Sequence, residues 1–273
     1  MNKKTSFSMR KYLTLTRAGI TESLSFRASY IISFFGNLVY LVVIYYLWKA
    51  IYASSSTDIV NGMTFTDTMI YLVLAAAMSN FLQVYLVWEI GRDIQTGKIV
   101  LNLIKPMDFQ IYTFFCVSGN YVVSFFTSFL PTFILVYFLT GGAIVTGTNI
   151  VFYAVSLVIG LLINFCIDFF VGTICMYTQS TWGINIMKEV ILLFVSGAMI
   201  PLAFFPEPLK TIVGYLPFQA IYNTPLLFLV DDSLTINKSF KMLFIQLFWL
   251  LFVFLASRLF WKKSLKIITV NGG

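Results

Sequence analysis

Apolar residues gather along the chain in six long runs: Tyr30 to Trp48, Met69 to Trp88, Ile111 to Leu139, Ile150 to Tyr177, Ile184 to Phe205, and Met242 to Trp261. About 20 helical residues cross the hydrocarbon core of a bilayer, so each run predicts one transmembrane helix. The third and fourth exceed that length and are expected to tilt or to project beyond the bilayer. Between runs, Tyr52 to Asp67, with Ser54-Ser-Ser-Thr57 and Asn61-Gly62, reads as a polar, flexible connection. Thr140-Gly-Gly142 to Thr148 is a shorter, uncharged one.

Two segments depart from this pattern. Ahead of the first run, Met9, Tyr12, Leu13, Thr16, Ile20 and Leu24 recur at helical spacing, with Arg10, Lys11 and Arg17 beside them. Residues 8–27 therefore predict a basic amphipathic helix on the membrane surface, although a positive anchor that only sets orientation has the same pattern. The charged stretch extends to Arg27 and no small-residue cleavage site follows, which is unlike a cleavable signal peptide. Ahead of the last run, residues 196–230 hold Pro201, Pro206, Pro208, Pro217 and Pro225, five of the seven prolines. Each removes an N–H, so 201–230 predicts short broken helices that re-enter the outer leaflet, or else a hydrophobic extracellular loop on the lipid surface.

Composition turns these elements into a class. With 59% apolar, 18% aromatic and 11% charged residues, 273 residues carry more apolar surface than a soluble domain can bury. The expected fold is an all-α integral membrane protein with six transmembrane helices, an N-terminal interface helix and re-entrant helices before the last span. The net charge of +7 comes from basic residues at the two ends and beside apolar runs, where they meet headgroups rather than nucleic acid. With both termini cytoplasmic, fourteen Lys and Arg, Lys188 among them, lie inside, and only Lys49, Lys210, Lys238 and Lys241 lie outside. Cytoplasmic loops hold the basic excess, which selects this orientation.

Little soluble-enzyme chemistry is present. Histidine is absent, and Cys116, Cys166 and Cys175 lie inside apolar runs without metal-ligand spacing, so they read as buried structural thiols and no metal site is expected. The stretch Gly91 to Ile99, GRDIQTGKI, nearly spells a phosphate-binding loop. That loop needs four residues between its glycines and a Ser or Thr after the lysine. Here five intervene, and Ile99 follows Lys98.

The segment Ile94 to Met107, IQTGKIVLNLIKPM, resembles the I-R-x-G-x-L-D-x-x-L-L-R-P-L segment that follows the second span in permeases of ABC-2-type transporters. Ile94, Gly97, Ile99, Leu103, Ile104, Lys105, Pro106 and Met107 fit, while Gln95 and Val100 replace a basic and an acidic residue. The run SG…P…FFP…LPF…P within 196–230 resembles the same family's stretch before its last span. The resemblance implies an export permease in a bacterial plasma membrane, one multi-pass domain over residues 1–273. A second permease subunit, identical or related, would complete the path. Two copies of a cytoplasmic ATP-binding subunit would hold the ATP and magnesium, with no cofactor on this chain. Residues 91–110 then become a cytoplasmic elbow that the ATPase pushes, with Arg92, Asp93, Ile94, Gly97, Lys98, Ile99, Leu103, Lys105 and Pro106 as its coupling residues and its glycines serving the bend.

Small and polar residues at four-residue spacing share a helix face. They form stripes at Ser29, Ser33 and Asn37; at Asn120, Ser124, Ser128 and Thr132; and at Gly160, Asn164, Asp168 and Gly172. These faces meet protein or water rather than lipid, through helix packing or along a substrate path. Asp168 is the one acid well inside a span. It is protonated, paired or wet, and either lines the path or subunit interface with Asn164, Asn120 and Ser124 or bonds a neighbouring helix. The aromatic, apolar bundle inclines toward hydrophobic or amphiphilic substrates. A non-transporting scaffold or channel subunit would show the same spans. A membrane-embedded lipid-modifying enzyme would need more acids than the pair Asp231-Asp232 supplies.

Overall fold

The computed structural model describes residues 9–25, 27–142, 144, 147–178 and 180–267. In chain order it contains α1 (Met9–Ser25), α2 (Arg27–Ala53), a hairpin of β1 (Ile59–Val60) and β2 (Met63–Thr64), α3 (Phe65–Leu82), α4 (Leu86–Gln95), α5 (Ile99–Leu103), and α6 (Phe109–Ser124). A π turn at Phe125–Phe129 leads into α7 (Leu130–Leu139), followed by α8 (Thr148–Thr178), α9 (Thr181–Val195), α10 (Glu207–Gly214), α11 (Asn223–Val230) and α12 (Ile236–Ser264). The described residues are all-α apart from the hairpin.

Five helical stretches among the described residues are long and apolar enough to cross a membrane: Phe35–Ala53, Phe65–Gln95, Phe109–Leu139, Thr148–Thr178 and Ile236–Ser264. They match five of the six expected runs. The remaining one, Ile184 to Phe205, differs, because α9 has only 15 residues. At 1.5 Å per residue that is about 22 Å, short of a hydrocarbon core of about 30 Å. The helix stops at Ser196-Gly197, where Gly197 takes a φ of +85°, and Pro201 prevents its resumption. The proline-rich stretch forms short pieces, as its prolines dictate. Within it α11 is buried between α3 and α8, with Leu226, Phe228 and Leu229 fully enclosed. This part of the segment does not lie as a loop on a lipid surface.

The stretch Phe65–Gln95 sits at the centre and is the most buried of the five, while Phe35–Ala53 and Ile236–Ser264 are peripheral and mostly exposed. Helix α12 packs along α8 in the same direction: Gln246 donates to the Ser156 carbonyl, Phe260 meets Phe170, and Ser264 meets Tyr177. Helices α6 and α7 run against α8, with Phe109 beside Phe169 and Phe133 beside Tyr153. The π turn precedes Pro131, and there the Leu130 N–H reaches back five residues to the Phe125 carbonyl. The connection after α2, expected to be flexible, instead folds as the hairpin. Asn61 and Gly62 both adopt positive φ, 49° and 82°, as a two-residue turn between paired strands requires.

Helix α1 fills the expected interface segment 8–27 except at Ser8 and Phe26, which lie outside the described residues, as do the side chains of Ser29 and Ser33, and at Arg27, which begins α2. Its buried face docks on α6. The Tyr12 ring lies 4.9 Å from Phe115, Thr16 shares a 2.7 Å hydrogen bond with Ser118, and Ser23 donates to Asn120. Arg10, Lys11 and Arg17 face outward. The crossing is possible because two glycines meet: a Cβ on Gly19 would lie 2.6 Å from the Cys116 carbonyl, and one on Gly119 would strike the backbone of Gly19 and Ile20. Gly119→Leu is therefore expected to detach α1 at a cost of about 1–3 kcal/mol, whereas Gly36→Leu, which meets open space, should be silent. Thermal unfolding midpoints of the two variants in detergent check this, and equal midpoints would contradict it.

Candidate coupling elbow and buried ion pair

The stretch GRDIQTGKI is the end of one helix and the start of another. Gly91 to Gln95 belong to α4, and the N–H groups of Thr96 and Gly97 return to the carbonyls of Arg92 and Ile94. Gly97 takes a φ of +71° and turns the chain into α5, whose first amides bond back to Gly97 and Lys98. The amides of α4 and those of Thr96 and Gly97 are thus spent on the helix and its end rather than arranged as a loop around a phosphate. Only Gly97 serves the bend, which corrects the expectation for Gly91. That glycine lies inside α4 against α9, where a Cβ would come within 3.0 Å of the Thr181 Cβ. Gln95 Nε2 donates to Thr181 Oγ1 at 3.2 Å across the same contact.

Polar bonds brace the corner from α4 to α6. Asn102 donates to Asp93 Oδ2 at 2.8 Å, Lys105 donates to Asn102 Oδ1 at 2.8 Å, and the same ammonium reaches the Tyr112 hydroxyl at 2.7 Å and lies over its ring. Ile99 is buried beneath the turn, and Ile94 and Leu103 are half-buried. Asp108 caps α6 by accepting from the Ile111 N–H, and it takes a bidentate pair of bonds from Arg258 of α12 at 3.0 and 2.6 Å. Burial pushes the Asp108 carboxyl up, but the Arg258 guanidinium and the Ile111 amide outweigh it and hold the acid below its ordinary range. Arg92, Lys98, Leu101, Ile104 and Pro106 remain exposed on the outer face of this frame. Asn102, Asp108, Tyr112 and Arg258 were not singled out in the sequence. Asp108 carried a signal, an N-cap residue immediately before an apolar run.

A second feature lies where α3 and α4 part. Gln83 to Tyr85 are non-helical, and two asparagines serve the freed carbonyls: Asn164 Nδ2 lies 3.3 Å from the Leu82 oxygen, and Asn120 Nδ2 lies 3.2 Å from that of Gln83. Beside this break a polar hollow of about 130 Å³ holds Asn164, Asp168, Lys188 and Glu189. Asp168, 1% exposed, receives the Lys188 ammonium at 2.8 Å and Asn164 Nδ2 at 3.3 Å. Lys188, 8% exposed, also bonds Glu189 at 2.6 Å, and Glu189 is half exposed. The structure thus brings Asn164 and Asp168 together. Asn120 reaches the same break from the α6 side and is tied to Ser23, while Ser124 is buried in α6 outside the hollow. Lys188 is not the boundary lysine the orientation count assumed, and without it the asymmetry is thirteen to four. Asp168 and Lys188 meet across the α8–α9 turn, a pairing that depends on how the two helices fold back on each other.

These features fit a membrane transport component. The family model for the ABC-2 family transporter protein matches residues 38–272, which spans both the elbow and the hollow, and the chain belongs to that family. It is a multi-pass ABC-2-type transport permease. Membership implies association with an ATP-binding subunit and usually with a partner permease. No curated protein matches the chain.

The ion pair gives a test of stability. Asp168→Leu leaves the Lys188 ammonium buried with only half-exposed Glu189, and breaking a buried pair costs about 3–5 kcal/mol. The double variant Asp168→Leu with Lys188→Met should recover much of that loss, and Asp168→Asn, which still accepts hydrogen bonds, should lose less than the leucine. Unfolding midpoints in lipid nanodiscs read the series. Additive losses in the double variant would contradict the pairing.

Proposed function

We propose that the chain is the permease half of an ABC exporter for a hydrophobic or amphiphilic substrate. It works with a second permease subunit, identical or related, and with two copies of a cytoplasmic ATP-binding subunit that hold ATP and magnesium. The observation that carries this reading is the elbow. A corner braced by Asp93, Asn102, Lys105 and Tyr112 underneath, with Leu101, Ile104, Pro106, Arg92 and Lys98 free outside, is built to be pushed without collapsing.

Six crossings with both termini in the cytoplasm of a bacterial cell complete the proposal. The parallel course of α8 and α12 supports this count: a chain that leaves α8 at one face must return to the other before α12 begins. Helix α9 with residues 196–204 would make that return, and α10 and α11 would re-enter from outside. Asp168 and Asn164 would line the path or border the permease interface, since their hollow is polar and Glu189 in its wall is half exposed.

Orientation is checked by single cysteines in a cysteine-free background. Ser56→Cys and Thr148→Cys should react with an impermeant thiol reagent from outside, and Thr96→Cys should not. Labelling at Thr96 from outside would overturn the orientation.

Coupling is checked at Gly97. Proline cannot adopt a φ of +71°, so Gly97→Pro should misalign α4 and α5, leaving the permease in the membrane but cutting nucleotide-dependent transport by at least about tenfold. Lys98→Ala, which would abolish a phosphate loop, should cost little. Transport and ATPase rates in vesicles give the comparison. Normal transport by Gly97→Pro would sink the elbow, and nucleotide binding by the isolated chain that Lys98→Ala removes would restore the phosphate loop.

A further inference from the structure

A larger hollow of about 470 Å³ lies between α6, α8 and α12, away from the ion pair. Ile111, Phe114, Phe165, Leu247, Leu251 and Phe254 line it, and its volume falls in the roughly 300–1,000 Å³ range of small-molecule sites. It opens to the outside of the bundle past Leu247 and Leu251, 50% and 59% exposed on an apolar helix long enough to cross a membrane. One polar residue stands in this wall with a bond missing. Gln110, 2% exposed, lines the hollow, and its Oε1 is buried without a hydrogen-bond partner among the described residues.

The neighbouring bonds decide which end of the amide is free. Ser257 Oγ donates to the Phe254 carbonyl at 2.9 Å and accepts from Gln110. In this arrangement the 3.0 Å bond runs from Gln110 Nε2 to Ser257 Oγ, and Oε1 is the open acceptor. An unpaired acceptor at membrane depth is unfavourable, and only a donor can relieve it. Gln110 is the second residue of α6, so the acceptor sits on the elbow's side of the bundle, and the hollow extends from it along α12 toward Leu247. The nearest charges along both helices, Asp108 and Arg258, are paired with each other and present no net charge at that end.

We propose that this hollow binds a neutral membrane lipid whose free hydroxyl lies directly beside its acyl chains, the chemistry of a diacylglycerol. An acyl chain fills the apolar wall and the hydroxyl donates to Gln110 Oε1. A chain moving from lipid to this wall exchanges one hydrocarbon environment for another, so burial alone gives little selection. Selection comes from the hydroxyl.

Native mass spectrometry of the purified chain from micelles doped with dioleoylglycerol or with its O-methyl ether tests this. Wild type should retain one dioleoylglycerol per chain and hold the ether about tenfold less. Gln110→Leu should hold both equally weakly. Leu251→Trp, placed on an exposed face that tolerates bulk, should fill the groove and lose both. Absence of retained dioleoylglycerol on wild type, equal retention of the ether, or full retention by Leu251→Trp would each overturn the proposal.

Discussion

A polar group at membrane depth has no water to bond, so whatever irregular backbone or charge the bundle holds must be satisfied from within the protein. The fold is arranged around that demand. The proline-rich stretch frees carbonyls, and side chains from long helices meet them: Tyr71 of α3 donates to the Gly197 carbonyl at 3.0 Å, and Gln246 of α12 donates to that of Ala220 at 2.7 Å. The break between α3 and α4 receives Asn164 and Asn120 in the same way. Asp168 and Lys188 answer each other. Helix α9, too short to be anchored by length, is fixed to α8 by that pair.

The same bonds connect the outer corner to the interior. Helix α4 ends at the elbow and touches the first turn of α9 through Gly91 and Gln95 against Thr181. Two turns further along α9, Lys188 enters the hollow to reach Asp168. A displacement of α4 thus has a packed route to the ion pair, made of a close backbone approach, a short helix and a salt bridge. Arg258 and Asp108 tie the other end of the elbow to α12, so the corner is held on both sides.

Much of the fold was legible because the hydrocarbon thickness sets a length that apolar runs either reach or miss. Five runs reached it as helices, and the prolines of 196–230 announced the short pieces. The break at Gln83 to Tyr85 was not legible, since it contains no proline or glycine and is sustained by asparagines from two other helices. Asn61-Gly62 was read as flexibility although the pair is a hairpin signal in its own right. Of the site, Gly97 stood out as a bend and Asp168 as a buried acid needing a partner. Lys188, Asn102 and Arg258 did not, because their roles depend on which helices become neighbours. The small-residue spacing at Asn120 and Asn164 was real, and the structure gives both residues a carbonyl to bond.

The central claim, that a nucleotide-driven subunit works this permease through the elbow, is tested most directly by capture at the contact itself. A photoreactive amino acid placed at Ile104, 74% exposed on the elbow, should crosslink in membranes to a protein that binds ATP, and nucleotide should change the yield. The same probe at Leu139, equally exposed at the far end of α7, should capture no such subunit. Capture of the ATP-binding subunit from Leu139 and not from Ile104 would contradict the coupling role of the elbow.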